Sequence, residues 1–280
     1  GNLGTPALDL LSDDCQLYVL ELSSFQLETT EKLGAESAVI LNISEDHMDR
    51  YAGKMAYLQA KQRIFRGARF VVINDEEVLS QPLMSADMKA MHFGVTLPDL
   101  NKFSVLERDG QRYLAKGFET LMAVKRLKVK GEHNISNILA ALAIGTSVGL
   151  PQDAMLRAVE NFRGLVHRCQ HLRHLRGVDY INDSKGTNPG AVVTAINSLG
   201  KEALGKIILI AGGVSKGADF SSLAAPITNF CKLALLIGED AQELGSVSTP
   251  LVETIYNDSL EQAVLVACEQ AEPGDIVLLS

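Results

Sequence analysis

The chain has 280 residues, 46% of them apolar and 21% charged, and a net charge of −8. That length suggests two domains, each able to bury its own core. The acidic balance and the lack of a basic block argue against a nucleic-acid surface, and no apolar run approaches the ~18–20 residues of a membrane span. The four cysteines, Cys15, Cys169, Cys231 and Cys268, are scattered without a C-x-x-C, which suits reduced thiols in a cytoplasm better than a disulfide frame.

No signal peptide is legible, and the opening Gly1-Asn2-Leu3-Gly4-Thr5-Pro6 reads as the interior of a domain. Thr5-Pro6 suits an N-cap and first helical position for a helix through Leu11. Strands are expected near 16–22 and 37–43, a helix near 53–66 and a strand at 69–74. From 91 to 129 short alternating strands with a turn at Asp109-Gly110 predict antiparallel hairpins. Helices follow at 134–148 and 151–161, and the polar joint at Gly164 separates a first domain, 1–164, from a second, 165–280.

The second part opens with a hairpin over 168–183 and settles into a βα rhythm. Helices are expected at 189–199, 221–229, 240–244 and 259–271, with strands at 206–211, 231–237, 251–256 and 275–279. Strand–helix alternation of this kind predicts a doubly wound α/β domain. Gly200 to Lys206 match G-x-x-x-x-G-K, but Ile207 takes the Ser/Thr position and a strand follows, so the stretch reads as a loop and not as a P-loop.

Chemistry gathers at strand ends. The run Leu17–Leu20 leads into Glu21-Leu-Ser23-Ser24-Phe25-Gln26-Leu27-Glu28, and Ala38–Leu41 leads into Asn42-Ile-Ser-Glu45-Asp46-His47-Met-Asp49. In parallel sheets ligands bind outside the carboxyl ends of the strands, so carboxylates and an imidazole there suit a metal–phosphate site. Glu21 alone equally fits a surface strand end, and Ser44, Glu45 and Asp46 equally fit a helix N-terminus. Lys61 falls within the arc set by Tyr57, Leu58, Ile64 and Phe65. A buried ammonium is costly unless paired, and its neutral amine can add CO₂ to become an anionic carbamate, a ligand for Mg²⁺. A snorkelling lysine accounts for the same pattern.

Further on, His133-Asn134-Ile-Ser-Asn137 opens an apolar helix, with Asn134 as a natural N-cap and both amides within reach of a base or ribose. Asn182-Asp183-Ser184-Lys185-Gly186-Thr187-Asn188-Pro189 lies between a strand and a helix. Asp183 suits ribose hydroxyls and Lys185 suits a phosphate or carboxylate, while a turn and N-cap explain Asn188-Pro189 well but not Lys185. Gly212-Gly-Val-Ser-Lys216-Gly217 repeats the arrangement: glycines admit an anion and Lys216 supplies charge.

Taken together, and in this order along the chain, these strings resemble the Mur ligase family, the ATP-dependent amide ligases of peptidoglycan precursor synthesis. The Glu21–Glu28 string brings the resemblance nearest to the D-glutamate-adding branch, and His167-Arg168 is a further match to the family. The resemblance implies a central ATPase-type domain, with a mainly parallel sheet and a small antiparallel section, followed by a Rossmann-like α/β domain. It implies ATP, two Mg²⁺ ions, UDP-N-acetylmuramoyl-L-alanine and D-glutamate as cofactors and partners of a cytoplasmic monomer. Glu21, His47 and a carbamylated Lys61 would hold the metals. Asn134, Asn137, Arg168 and Asp183 would hold ATP, and Asn2, Ser23, Thr187 and Lys216 the other substrates. Lys61, His47, Lys185 and Lys216 would serve the reaction. In the family a UDP-binding domain and a glycine-rich phosphate loop precede the point matching Gly1, and a further segment follows the point matching Ser280. The 280 residues by themselves are therefore expected to be inactive. Another amino-acid ligase of the Mur or folate type, and a non-catalytic binding module, are the alternatives.

Overall fold

The computed structural model describes residues 5–44, 47–48, 50–84, 88–129, 131–214 and 219–280. They build two six-stranded sheets. In the first, β1 (Ser37–Val39), β2 (Phe70–Asn74), β3 (Lys89–Phe93) and β4 (Lys102–Arg108) run parallel, and β5 (Gln111–Lys116) and β6 (Glu119–Ala123) continue antiparallel, all in sequence order. The β-branched run of β2 is buried on both faces, with Val71 0% and Val72 1% exposed, as a central parallel strand requires. Helix α1 (Ser24–Glu28) precedes β1, and α2 (Lys54–Gln62) sets Tyr57, Leu58 and Ala60 against Ala38, Val71 and Ile73 on one face. On the other face α3 (Glu132–Ser147) and α4 (Gln152–Asn161) cover Val72, Phe93, Phe103 and Leu114.

The second sheet has the order β11-β10-β9-β12-β8-β7. Its strands are β7 (Gln170–Leu175), β8 (Val178–Asn182), β9 (Ile207–Gly212), β10 (Cys231–Ile237), β11 (Glu253–Tyr256) and β12 (Ile276–Leu279), and only β7 runs antiparallel to its neighbour. Helices α5 (Pro189–Glu202), α6 (Ala224–Phe230) and α7 (Ala241–Ser248) pack on one face, and α8 (Leu260–Gln270) packs on the other through Ala263 and Ala267. This is the doubly wound layering that the βα rhythm predicts. Local signals place its helices: Asn188 accepts the Ala191 N–H at 2.9 Å ahead of Pro189, and Ser259 accepts the Gln262 N–H at 3.2 Å.

Several expectations are corrected. The run at 16–22 is not a strand: Val19 is 87% exposed, and β1 pairs only with β2. An apolar run needs a neighbour to take up its backbone N–H and C=O groups, and none of the described strands lies beside it. Residues 5–11 hold one 3₁₀ turn, Ala7–Leu10, rather than an α-helix; Leu8 and Leu10 are exposed, so no packing offsets nucleation. The strand at 37–43 shortens to Ser37–Val39. Within 91–129, β3 pairs in parallel on both sides, so only β4–β6 form the expected hairpins; Asp109 (φ 54°) and Gly110 (φ 70°) make the first turn. Gly200 to Glu202 belong to α5, so the G-x-x-x-x-G-K stretch is part helix and part loop.

Candidate active site

At the first sheet, the loop leaving β1 is fixed by Asn74. This residue, 8% exposed at the end of β2, donates from Nδ2 to the Leu41 carbonyl at 2.7 Å and accepts the Glu76 N–H at 2.9 Å. The loop carries His47 in the left-handed region, φ 57°, where its carbonyl accepts the N–H groups of Arg50 (3.0 Å) and Tyr51 (3.2 Å). His47 is half-buried, and its ring lies 4.7 Å from that of Phe25. Asp46 and Asp49 lie outside the described residues, as do Asn2, Lys216 and Gly217.

Glu21 is exposed in an irregular segment and does not end a buried strand, which corrects its expected setting. Two residues on, Ser23 is the N-cap of α1. Its hydroxyl accepts the Gln26 N–H at 3.3 Å, and Gln26 Oε1 accepts the Ser23 N–H at 2.9 Å. This reciprocal box satisfies two backbone donors that a helix start leaves open. Lys61 is half-buried on α2, one turn beyond Tyr57, with its ammonium 5.4 Å from the Tyr57 ring centroid. Among the described residues no group of three or more His, Cys, Asp or Glu side chains is gathered as a metal site.

At the second sheet, two loops are stitched together. The first spans His167 to Cys169; the second follows β8. Lys185 N–H donates to the His167 carbonyl at 3.0 Å, Asn182 Nδ2 lies 3.0 Å from His167 Nδ1, and Cys169 N–H donates to Asp183 Oδ1 at 2.9 Å. The other Asp183 oxygen accepts the Ser280 hydroxyl at 2.9 Å. His167 (φ 65°) and Cys169 (φ 42°) both hold left-handed backbone on either side of Arg168. Such conformations cost about 1–3 kcal/mol each and persist where surrounding bonds enforce them. Arg168, Asp183, Lys185 and Thr187 are thus brought into one loop pair, with Asp183 buried and the other three exposed. Burial, reinforced by Asp183, pushes the Cys169 thiol up to about 12.

The two halves meet along α5. A Cβ on Gly190 would stand 2.8 Å from the Cβ of Ser44, in the His47 loop, and one on Gly131 would strike the Ser198 hydroxyl. Gly131, at φ 92°, is the N-cap of α3, so Asn134 is the third residue of that helix and not its cap, a correction. Asn134 is half-buried and Asn137 exposed. His133, just ahead of Asn134, carries a buried Nδ1 with no hydrogen-bond partner among the described residues. Burial holds its pKa below the ordinary histidine value, while the charges of Asp183 and Glu202 act the other way. The start of α3 therefore lies within the field of Asp183. Asn74 and Gly190 are missing from the sequence reading, and His133 enters it only as the residue ahead of Asn134, without a role. Only Asn74 carries a usable signal, a polar residue closing the apolar run Val71–Ile73.

Residues 3–145 match the Mur ligase middle domain, and residues 167–280 match the glutamate ligase domain of Mur ligases. The whole chain is 56% identical over 280 residues to a Pseudomonas fluorescens protein named UDP-N-acetylmuramoylalanine--D-glutamate ligase, covering 62% of it. It is 51% identical to the protein of that name from Marinobacter nauticus, covering 63% of it. The chain thus spans less than two thirds of the length of these relatives. Among solved structures, a pseudomurein peptide ligase type C from Methanothermus fervidus matches with a TM-score of 0.69 at 16% identity, over 87% of this chain and 60% of that one. The MurF ligase of Thermotoga maritima in complex with ADP matches with a TM-score of 0.63 at 16% identity, over 89% and 58%. At such identities these two likenesses speak to the fold alone.

Proposed function

Because this chain belongs to the Mur ligase family, we propose that it is the core of an ATP-dependent ligase that joins D-glutamate to UDP-N-acetylmuramoyl-L-alanine in peptidoglycan precursor synthesis. One observation carries the reading: all 280 residues align at 56% identity with a relative of that name. We read 1–164 as the ATP-binding domain and 165–280 as the amino-acid-binding domain of a cytoplasmic enzyme.

The reaction joins a carboxylate to an amine. ATP would phosphorylate the L-alanyl carboxylate, the D-glutamate amine would attack the acyl phosphate, and phosphate would leave the tetrahedral adduct. Bringing a carboxylate up to a triphosphate requires concentrated positive charge. Arg168, at the strained turn, is offered to phosphate oxygens, and Lys185 and Lys216 to the phosphoryl group or the incoming carboxylates. Thr187 would orient D-glutamate, with Asn2 and Ser23 toward the muramoyl substrate. Asp183 already accepts one bond on each oxygen, and a carboxylate has lone pairs left for ribose hydroxyls. Asn134 and Asn137 would offer amides from the first turns of α3.

For Mg²⁺, the donor set of Glu21 and His47 supplies one carboxylate and one imidazole, which a hard cation accepts. Lys61 fits only as its carbamate, since an ammonium would repel the ion. When bound, Mg²⁺ supplies neutralisation of phosphate charge. The half-buried setting of Lys61 and the meeting of the two halves along α5 both support this assignment. Closure along α5 would exclude water from the acyl phosphate.

Phosphate release by the full gene product carrying this chain, with ATP, Mg²⁺ and UDP-N-acetylmuramoyl-L-alanine, tests the proposal. Release that depends on D-glutamate is expected. Release that depends on another amino acid would make it a sister ligase, and no release under any combination would leave only a binding module.

A further inference from the structure

The rings between His47 and Lys61 form an unbroken series. Phe25 lies 4.7 Å from the His47 ring and is stacked on Tyr51 at 6.3 Å with 10° between planes. Tyr51 meets Tyr57 edge-on at 5.3 Å, and the Lys61 ammonium lies 5.4 Å from the Tyr57 centroid. The outer end is closed by charge. Arg50 sits 4.8 Å over Phe25 and donates to Glu28 at 2.7 Å. Tyr51 and Tyr57 are 8% and 6% exposed, part of the core formed by α2 and the first sheet. Phe25 comes from α1, Tyr51 from the loop after β1, and Tyr57 and Lys61 from α2. Three separate pieces of chain thus meet through aromatic rings, and paired rings have preferred offsets and angles.

We propose that Phe25, Tyr51 and Tyr57 act as a brace that fixes the His47 imidazole and the Lys61 amine relative to each other, with Phe25 as the positioning residue for His47. The proposal rests on the reading that His47 and Lys61 both serve the divalent-cation centre. Aliphatic packing would fill the same space without setting the angle of the imidazole, so ring shape is the property at issue. The left-handed backbone of His47 makes that angle depend on outside support.

The test uses the 280-residue chain with Mn²⁺ as the probe, followed by electron paramagnetic resonance of the free ion. Imidazole signals are followed in carbon-13 spectra of the metal-free protein. Six histidines keep those spectra assignable, and His47→Ala identifies the relevant signal by its loss. Phe25→Leu is expected to move the His47 signal and to weaken Mn²⁺ binding about 10- to 100-fold, the effect usual for groups that orient a ligand. Phe25→Tyr should restore both. A His47 signal indifferent to Phe25→Leu would overturn the brace. So would unchanged Mn²⁺ affinity in Phe25→Leu when His47→Ala abolishes binding. If His47→Ala and Lys61→Ala bind Mn²⁺ like the parent, the cation-site reading itself falls, and the brace falls with it as a functional device.

Discussion

The Lys102 ammonium donates to Asp75 Oδ2 at 2.9 Å and to Thr96 Oγ1 at 2.9 Å, in a residue only 4% exposed. The other Asp75 oxygen lies 2.6 Å from His92 Nδ1. Burial opposes ionisation of Asp75, but the bonds from His92 and Lys102 outweigh it and hold its pKa below the usual carboxylate value. A depressed carboxylate contributes stability that is present above its unfolded pKa and lost as pH falls through the folded one. Urea melts of the parent should therefore weaken below about pH 4. Asp75→Ala should cost about 2–4 kcal/mol at pH 7 by stranding Lys102, and its melts should respond less to acid.

The capping box of α1 separates stability from substrate contact. Ser23→Ala should cost about 1 kcal/mol in thermal or urea melts. Ser23→Asp keeps an N-cap acceptor and should retain nearly all of that stability. If the Ser23 hydroxyl also touches the muramoyl substrate, Ser23→Asp will raise KM in the phosphate-release assay with no fall in Tm.

Cysteine labelling reports on the stitched loops. Cys15 and Cys268 are exposed, whereas Cys169 and Cys231 both have thiols that burial raises to about 12. A thiol at that value is ionised in about one molecule in ten thousand at pH 8. Maleimide followed by mass spectrometry should modify Cys15 and Cys268 within minutes and spare the other two. Asp183→Ala should release Cys169 to labelling by freeing its backbone N–H, leaving Cys231 protected.

His133 gives a second pH signature. Its lowered pKa means that the fold favours the neutral ring. Its contribution is fully present above the unfolded value and is lost as pH falls through the folded one. In a histidine NMR titration His133 should titrate below the ordinary value, and His133→Gln should flatten the stability profile below about pH 6.5.

Local chemistry was legible wherever it closes on itself. The Asp109-Gly110 turn, the Asn188-Pro189 helix start and the βα rhythm of the second sheet all follow from residues a few positions apart. The Ser23 to Glu28 string, which looks like a run of ligands, is largely architecture. Ser23 and Gln26 cap α1, Leu27 is 1% exposed in the core, and Glu28 pairs with Arg50. What sequence could not supply was partnership at a distance. The run at 16–22 has the pattern of a strand but no described strand beside it. Gly131, and not Asn134, starts α3, in contact with Ser198 some way along the chain. Asn74 and His133 matter through carbonyls and charges that only the fold brings near.

The position of β12 has a consequence for how the second sheet is made. This strand lies between β9 and β8, pairing Ile276 with both Ile207 and Asp179. Until residues 276–279 have been synthesised, the β7–β8 hairpin and the β9–β10–β11 ribbon share no ladder, and each presents an open edge. Open edges invite wrong pairing, and contacts so distant in sequence form slowly. Folding during translation would leave these half-sheets waiting for one short strand, a window in which a chaperone would have most to protect.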